Sequence, residues 1–264
     1  MTIMAAVATV ERTAQVWARL QSVIDPELDE SVTELGFVTS VEVDAGGHVR
    51  VDFRLPTYWC AANFAFLMAD DMRIAVTALP WVTKVTVGLG EHMYADEINR
   101  GVAAGLSFQA TFGNEASGEL EEVRRTFMVK AFQRRQEALL TYLIEGRHEP
   151  TALVQLSVVG LAALPCDAEG HRRVERYLER RPVVGSGADE LAFVDHEGAS
   201  LDAGQIHAYL RNLRRIGVNA EFNSAMCRGL LATRYGTACT PQVEVKPVHF
   251  VRSISSARSI QNGL

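Results

Sequence analysis

Hydrophobic and polar residues alternate with two different periods in the first third of the chain, and the periods follow one another in a fixed order. Apolar residues recur at helical spacing, then at every second position in two segments, then at helical spacing, and finally at every second position again. The predicted segments are a helix at Glu11–Ile24, strands at Phe37–Val43 and Val49–Leu55, a helix at Cys60–Leu79 and a strand at Trp81–Leu89. We therefore predict an α+β fold, an α-β-β-α-β domain in which helices cover a three-stranded sheet.

Shorter signals complete this region. Residues 1–10 are small and weakly patterned, which predicts a loose terminus. Pro26 ends the first helix because proline cannot donate the next backbone hydrogen bond. Ser31 and Glu34 have the spacing of a capping box and Gly36 follows as a stop, which together predict one short turn of helix.

The pattern from about residue 90 onward is mostly helical. The predicted helices are Glu119–Ile144, Ala152–Leu164, Ala168–Arg180, Asp202–Ile216 and Glu221–Tyr235, the last two separated at Gly217. Residues 243–251 alternate enough for an extended tail or an edge strand. We predict two domains, the α+β domain at residues 1–90 and a mostly helical second domain at residues 91–264.

Composition and charge argue against several classes of function. The 264 residues are 48% hydrophobic and 22% charged, which is typical of a globular protein with a real core. The net charge of -6 argues against a surface for nucleic acid, which needs clustered Lys and Arg. The apolar stretches are shorter than a membrane span, and the start has no basic region before an apolar core. We expect a cytoplasmic protein with neither nucleic acid nor membrane as a partner.

Four cysteines are the main candidates for chemistry, and no two of them form a C-x-x-C pair. This spacing predicts neither a zinc ribbon nor a thioredoxin-type redox motif, so free thiols are expected for Cys60, Cys166, Cys227 and Cys239. Cys60 lies at the predicted start of a helix, where backbone N–H groups and the helix dipole favour a thiolate. A small buried residue is the alternative at this position. Cys227 and Cys239 could be ligands of a second site only if the fold brings them together.

Other polar residues give weaker signals. Glu145 and His148 have the spacing of one half of a di-iron site, but such sites need two copies and Gly146 interrupts the helix. Residues 195–197 read as a solvated turn, and His92 and His207 have no partner at ligand spacing. No nucleophile elbow, P-loop or dinucleotide fingerprint is present.

Four blocks resemble a known family in their order and spacing. They are Asp25-Pro26-Glu27-Leu28, Glu34-Leu35-Gly36-Phe37-Val38, Pro56-Thr57-Tyr58-Trp59-Cys60 and Leu79-Pro80-Trp81-Val82-Thr83-Lys84-Val85. The pattern is similar to that of the family that contains SufT and PaaD, and the resemblance covers about residues 11–89. Two positions differ from the family: Ala61 follows the cysteine where proline is usual, and Trp81 stands in place of a glycine.

The resemblance implies a site. In that family the single cysteine is regarded as the place where iron or an iron-sulfur cluster binds transiently, with the acidic pair and the threonine close by. Applied to this sequence, the family pattern implies that Cys60 is the metal ligand and that Thr57, Asp25 and Glu27 are its neighbours. One thiolate per chain gives an open, labile site suited to passing metal on. The alternatives are that both acidic residues stabilise a helix start and that Thr57 supports the loop.

The resemblance also implies a function. We expect a non-enzymatic maturation factor that carries iron or a labile cluster through Cys60 to a client apo-metalloenzyme. An iron-sulfur or di-iron enzyme, such as a multicomponent monooxygenase, would be the client, and the amphipathic helices would bind the client or a second copy of the chain. The alternatives are a metal-free assembly chaperone for an oxygenase and, ranked last, a thiol enzyme with Cys60 as nucleophile.

Overall fold

The computed structural model describes residues 2–113, 120–185 and 190–236, with side chains from residue 8 onward. Its first part is a small α+β unit. The elements are α1 (Thr2–Leu20), β1 (Ile24–Asp25), β2 (Glu30–Ser31), β3 (Val38–Val43), β4 (His48–Arg54), α2 (Ala62–Thr77) and β5 (Lys84–Gly90).

A three-stranded sheet with β4 in the centre organises this unit. β3 pairs with β4 antiparallel, and β5 pairs with β4 parallel, so that Val51 faces Val41 on one side and Val87 on the other. Helix α2 makes the crossover that two parallel strands require. Val49, Val51 and Phe53 are buried, as the alternating pattern predicts. The predicted α+β class with a three-stranded sheet is confirmed.

Two local features differ from the sequence expectations, and one short predicted turn agrees with them. Helix α1 begins at Thr2, within the predicted loose terminus, and ends at Leu20, well before Pro26. The predicted short turn of helix after Ser31 is present: the Leu35 N–H donates to the Ser31 carbonyl oxygen at 2.9 Å, and the Ser31 hydroxyl accepts the Thr33 N–H at 3.2 Å. Gly36, with φ of 72°, ends this turn as predicted. The β1–β2 pair was not predicted, because strands of two residues are too short to produce an alternating pattern.

The rest of the described chain is mostly helical, as predicted. Its helices are α3 (Ala95–Ala103), α4 (Phe108–Phe112), α5 (Leu120–Glu145), α6 (Pro150–Leu153), α7 (Val158–Ala162), α8 (Ala168–Arg180) and α9 (Ile206–Tyr235). Short 3-10 turns lie at Arg181–Val184 and Ala203–Gln205.

Two predictions for this part are wrong. The single helix expected at Ala152–Leu164 is divided into α6 and α7. The break expected at Gly217 does not occur, since α9 runs through it without interruption. One interior glycine costs a helix about 1 kcal/mol, which packing along both ends of so long a helix can offset. The predicted tail strand at residues 243–251 lies outside the described residues, as does Cys239.

Buried side chains in the described part of the chain form two hydrophobic clusters, and the long helices α5 and α9 contact both. The first cluster lies between the sheet, α1, α2 and α3, and it includes Leu231 of α9 and contacts Leu120 of α5. The second cluster contains Leu139 and Leu140 of α5 and Ile206 of α9. Ile98 of α3 also belongs to the first cluster, so this core extends past residue 90. The division at residue 90 stays a prediction.

Ion pairs join the two parts of the molecule. Asp29, in the turn between β1 and β2, is 6% exposed and has a left-handed backbone with φ of 55°. Its carboxylate accepts hydrogen bonds from Arg135 Nε at 2.6 Å and from Arg180 Nη2 at 2.9 Å. The guanidinium of Arg124 on α5 binds the Asp71 carboxylate on α2 at 2.7 and 2.9 Å. The helical part therefore packs directly onto the α+β unit.

Candidate functional site

Cys60 lies in the loop between β4 and α2, two residues before the first residue of that helix. Its side chain is half-buried, and its Sγ lies 3.1 Å from the Thr57 hydroxyl. The N-cap residue of α2, Ala61, supplies no side-chain hydrogen bond to the helix. Within the first turn, Asn63 Oδ1 accepts the Phe64 N–H at 2.9 Å. The helix dipole at the N-terminal end of α2 still favours a negative charge beside the thiol.

His92 fixes the backbone of this loop. Its ring is buried, and Nε2 lies 2.8 Å from the carbonyl oxygen of Cys60. Nδ1 accepts a hydrogen bond from the backbone N–H of Tyr94 at 3.2 Å, which assigns the ring proton to Nε2. Burial is the main cause that lowers the pKa of His92, and the charge of Arg234 lowers it further, while the bond to Cys60 opposes both. A neutral His92 thus holds Cys60 through its main chain.

The two acidic residues of the Asp25-Pro26-Glu27 block have different surroundings. Asp25 is 7% exposed, and its Oδ1 accepts the backbone N–H groups of Glu27 and Leu28, both at 2.9 Å, which closes the turn. Burial raises the pKa of Asp25 to about 6, against the lowering effect of these two hydrogen bonds. Glu27 Oε1 instead accepts a hydrogen bond from Asn223 of α9 at 3.0 Å. Asp25 therefore shapes the loop, and Glu27 connects it to the helical part.

Residues 13–87 match a family model that is described as iron-sulfur cluster assembly protein. The uncharacterized protein MJ1129 of Methanocaldococcus jannaschii is 32% identical over 80 residues, which make up 30% of this chain and 82% of that protein. The chain belongs to this assembly family. A solved structure, the domain of unknown function DUF59 from Bacillus anthracis, is 21% identical, with a TM-score of 0.31 over 38% of this chain and 95% of that domain.

Helix α9 lies outside the matched family segment, yet it covers the two loops that carry the family residues. Besides Asn223, Ser224 donates to Glu30 and Arg228 donates to the carbonyl oxygen of Glu34 at 3.0 Å. Further along, Leu231 lies 3.6 Å from the position that a Cβ would take at Gly36. Arg234 then donates to the carbonyl oxygens of Leu55, at 3.4 Å, and of Glu91, at 3.0 Å. One face of α9 thus follows the family unit from the Asp25 loop to the Cys60 loop.

Cys227 occupies the middle of that face. It is half-buried and packs against the same hydrophobic cluster as Cys60. Burial is the main cause that raises the pKa of Cys227 to about 12, followed by the charges of Asp25, Cys60, Glu27 and Glu30. The fold therefore brings Cys227 close to the family cysteine and to the acidic block.

The candidate ligands do not form a full metal cage. Among the residues that the structure describes, no group of three or more His, Cys, Asp or Glu side chains could hold a metal ion. Thr57 is the predicted site residue that directly contacts the Cys60 thiol. An ion or cluster carried as cargo would need ligands from outside the chain in addition to Cys60.

Other sequence candidates lie apart from this loop. Residues 195–197 form a turn in which Asp195 Oδ1 accepts the backbone N–H groups of Glu197 and Ala199. A groove of about 820 Å³ runs between the family unit and helices α5, α8 and α9, and both carboxylates and guanidinium groups line it. It contains none of Asp25, Glu27, Thr57 and Cys60. Within the described part of the chain, no helix is long and apolar enough to cross a membrane.

The sequence does not connect three residues that shape the site to Cys60: His92, Cys227 and Arg234. Cys227 is predicted only as a possible ligand of a second site with Cys239. His92 has no partner at ligand spacing in the sequence, because its partner is a backbone carbonyl. Cys227 and Arg234 are more than 160 positions away from Cys60, and only the packing of α9 brings them there. The seven-residue separation of Cys227 and Arg234, which places both on one helix face, was a usable signal.

Proposed function

We propose that this protein is a non-enzymatic maturation factor that carries iron or a labile iron-sulfur cluster at Cys60 and delivers it to a client apo-metalloenzyme. Membership of the assembly family supports a general role in iron-sulfur cluster assembly. The observation that carries the proposal is the half-buried thiol of Cys60, which Thr57 contacts at 3.1 Å and His92 positions through the backbone. Such a thiolate can bind a soft cargo and still be reached by a second protein.

The surface beside Cys60 suits a protein client. Tyr58 and Trp59 immediately precede the cysteine, and they are 49% and 72% exposed. Aromatic side chains of this kind are enriched at the centres of protein interfaces. We propose that the client enzyme packs against these two rings, so that its own ligands approach the cargo at Cys60. An iron-sulfur or di-iron enzyme, such as a multicomponent monooxygenase component, is the proposed client, and the cytoplasm the proposed location.

The second candidate function is a metal-free assembly chaperone for an oxygenase. One observation favours it: α9 presents an exposed apolar row. The row consists of Val218, Phe222, Met226 and Leu230, each four residues from the next. Such a row can bind a client or a second copy of the chain. The thiol enzyme has less support, because His92 binds the carbonyl oxygen of Cys60 rather than its sulfur.

Anaerobic reconstitution with ferrous iron and sulfide tests the carrier against the chaperone. Wild type and Cys60→Ala are desalted and compared by visible absorption and by iron content, with Cys166→Ala as the control, because Cys166 packs against the second cluster. The carrier predicts that wild type and the control hold iron and that Cys60→Ala loses it. If no protein holds iron, or if Cys60→Ala holds as much as wild type, the carrier proposal is wrong. Activation of a client by Cys60→Ala at the wild-type rate would then support the chaperone.

A further inference from the structure

Two thiols that are far apart in sequence share one side of the hydrophobic core. Cys60 precedes α2, and Cys227 lies on the face of α9 that covers the family unit. One turn before Cys227, Asn223 binds Glu27, and one turn after it Leu231 packs next to Gly36. Two turns after it, Arg234 binds the backbone of the loop that leads to Cys60. Cys227 is therefore held in register between the acidic loop and the cysteine loop.

Acidic side chains of the family unit lie near Cys227. Burial is the main cause that raises the pKa of the Cys227 thiol, and Asp25, Cys60, Glu27 and Glu30 lie close enough to raise it further. Glu30 has its own partner in Arg228, and the Glu27 side chain accepts a hydrogen bond from the neutral amide of Asn223. A cation between the two sulfurs would relieve the repulsion among these groups. The same environment would oppose an anionic ligand.

We propose that Cys227 is a second thiolate ligand for the cargo of Cys60, so that one chain holds a thiophilic divalent cation, such as ferrous iron, between two sulfurs. This inference rests on the carrier function proposed above. Each thiol transfers its proton to solvent as its sulfur binds the ion, and the oxidation state of the metal does not change. Two protein sulfurs leave two positions of a tetrahedral ion open for a small thiol or for the ligands of the client.

With one ligand on α9, retention and release of the metal ion depend on the position of this helix. The family unit supplies one ligand, and a helix beyond residues 13–87 supplies the other. Withdrawal of one face of α9 would remove one sulfur while Cys60 keeps the ion. The helical part then acts directly on the cargo, in addition to any role in binding a client.

Cobalt(II) is a suitable probe, because its sulfur-to-metal charge-transfer absorption grows with the number of bound thiolates. The full-length wild type is titrated anaerobically after reduction, alongside Cys60→Ser and Cys227→Ser, with Cys166→Ser and Cys239→Ser as matched controls. We expect the absorbance per bound cobalt to fall to about half in each of the first two variants, with binding weaker by about tenfold or more. The two controls should match wild type.

The possible results separate this inference from the carrier function. If Cys227→Ser keeps the wild-type absorbance while Cys60→Ser loses it, Cys227 is not a ligand and the Cys60 carrier stands. If wild type binds no cobalt, both proposals fail. If Cys239→Ser loses cobalt absorbance and Cys227→Ser does not, the assignment of Cys227 as the second sulfur ligand is overturned. Cys227→Ala is titrated as well, and circular dichroism checks the folding of each variant. If Cys227→Ser loses cobalt absorbance but Cys227→Ala keeps it, the loss comes from a packing defect caused by serine, and the inference is overturned.

Discussion

The buried carboxylate of Asp29 offers a sharp test of how the helical part is attached to the family unit. Asp29 is 6% exposed and receives both Arg135, through Nε at 2.6 Å and Nη2 at 3.0 Å, and Arg180, at 2.9 and 3.1 Å. The side chain of Arg135 is only 9% exposed. The substitution Asp29→Asn keeps the shape of the side chain and tolerates the left-handed backbone at this position. It removes the negative charge and leaves two guanidinium groups with one neutral acceptor.

The expected cost follows from burial. Breaking a buried ion pair by removing one partner typically costs about 3–5 kcal/mol, because the remaining charge is left uncompensated. Arg135 also binds Glu179 at 2.7 Å, a carboxylate that is 60% exposed and can take over part of the charge. We therefore expect the free energy of unfolding to fall by about 3 kcal/mol, the lower end of that range. The matched control is Glu221→Gln, which breaks an exposed pair with Arg214 and should cost less than about 1 kcal/mol.

Urea unfolding followed by circular dichroism is the appropriate assay, because guanidinium chloride would screen the ion pairs themselves. Intrinsic tryptophan fluorescence in the same titration reports Trp17, Trp59 and Trp81, all of which lie in the family unit. A loss of no more than 1 kcal/mol for Asp29→Asn, equal to that of the control, would refute the view that this carboxylate holds the two parts together. A transition that splits into two steps only in Asp29→Asn would support it directly.

Two further substitutions test the acidic block and the packing of the family unit. Burial raises the pKa of Asp25 in the folded protein to about 6, so the folded protein should lose stability as the pH rises from about 4 to 6. The substitution Asp25→Asn should remove this loss and raise the free energy of unfolding at pH 7 by on the order of 3 kcal/mol. Urea unfolding across this pH range measures both effects. A pH profile unchanged by Asp25→Asn would contradict the shift. A Cβ at Gly101 would clash with the Thr111 side chain, so Gly101→Ala should destabilise by about 1–3 kcal/mol in the same assay. A Cβ added at Gly229 of α9 would have no neighbouring atom within 4 Å, so Gly229→Ala should stabilise the protein by up to about 1 kcal/mol. Equal effects of Gly101→Ala and Gly229→Ala on stability would refute the packing argument.

The family unit could be predicted from sequence because its signals are local. Strand β4 carries strict alternation, with Val49, Val51 and Phe53 inward, and the predicted helix at Ala168–Arg180 has the same bounds in the structure. The limits of α1 and the continuity of α9 could not be read in this way. A glycine such as Gly217 looks like a stop when only its propensity is known, whereas contacts at both ends of the helix decide the outcome.

The candidate site likewise contains residues that local sequence brings together and residues that only tertiary packing brings there. Cys60 and Thr57 are three residues apart, so their contact follows from one loop and was within reach of sequence reasoning. His92 and Cys227 reach the loop through β5 and α9, and their positions depend on tertiary packing. The family resemblance names residues only where the family has a counterpart, and α9 lies beyond the matched segment.

The shared placement of α5 and α9 has a practical consequence for dissecting the molecule. A fragment that ends at residue 113 would keep every strand of the sheet, yet it would lose Leu231 from its core and the partners of Asp29, Asp71 and Glu30. Its surface would then expose apolar side chains and unpaired carboxylates that the intact protein covers. We therefore expect the family segment of this chain to depend on the helical part for its stability, so that its boundaries in sequence do not define an independently stable fragment.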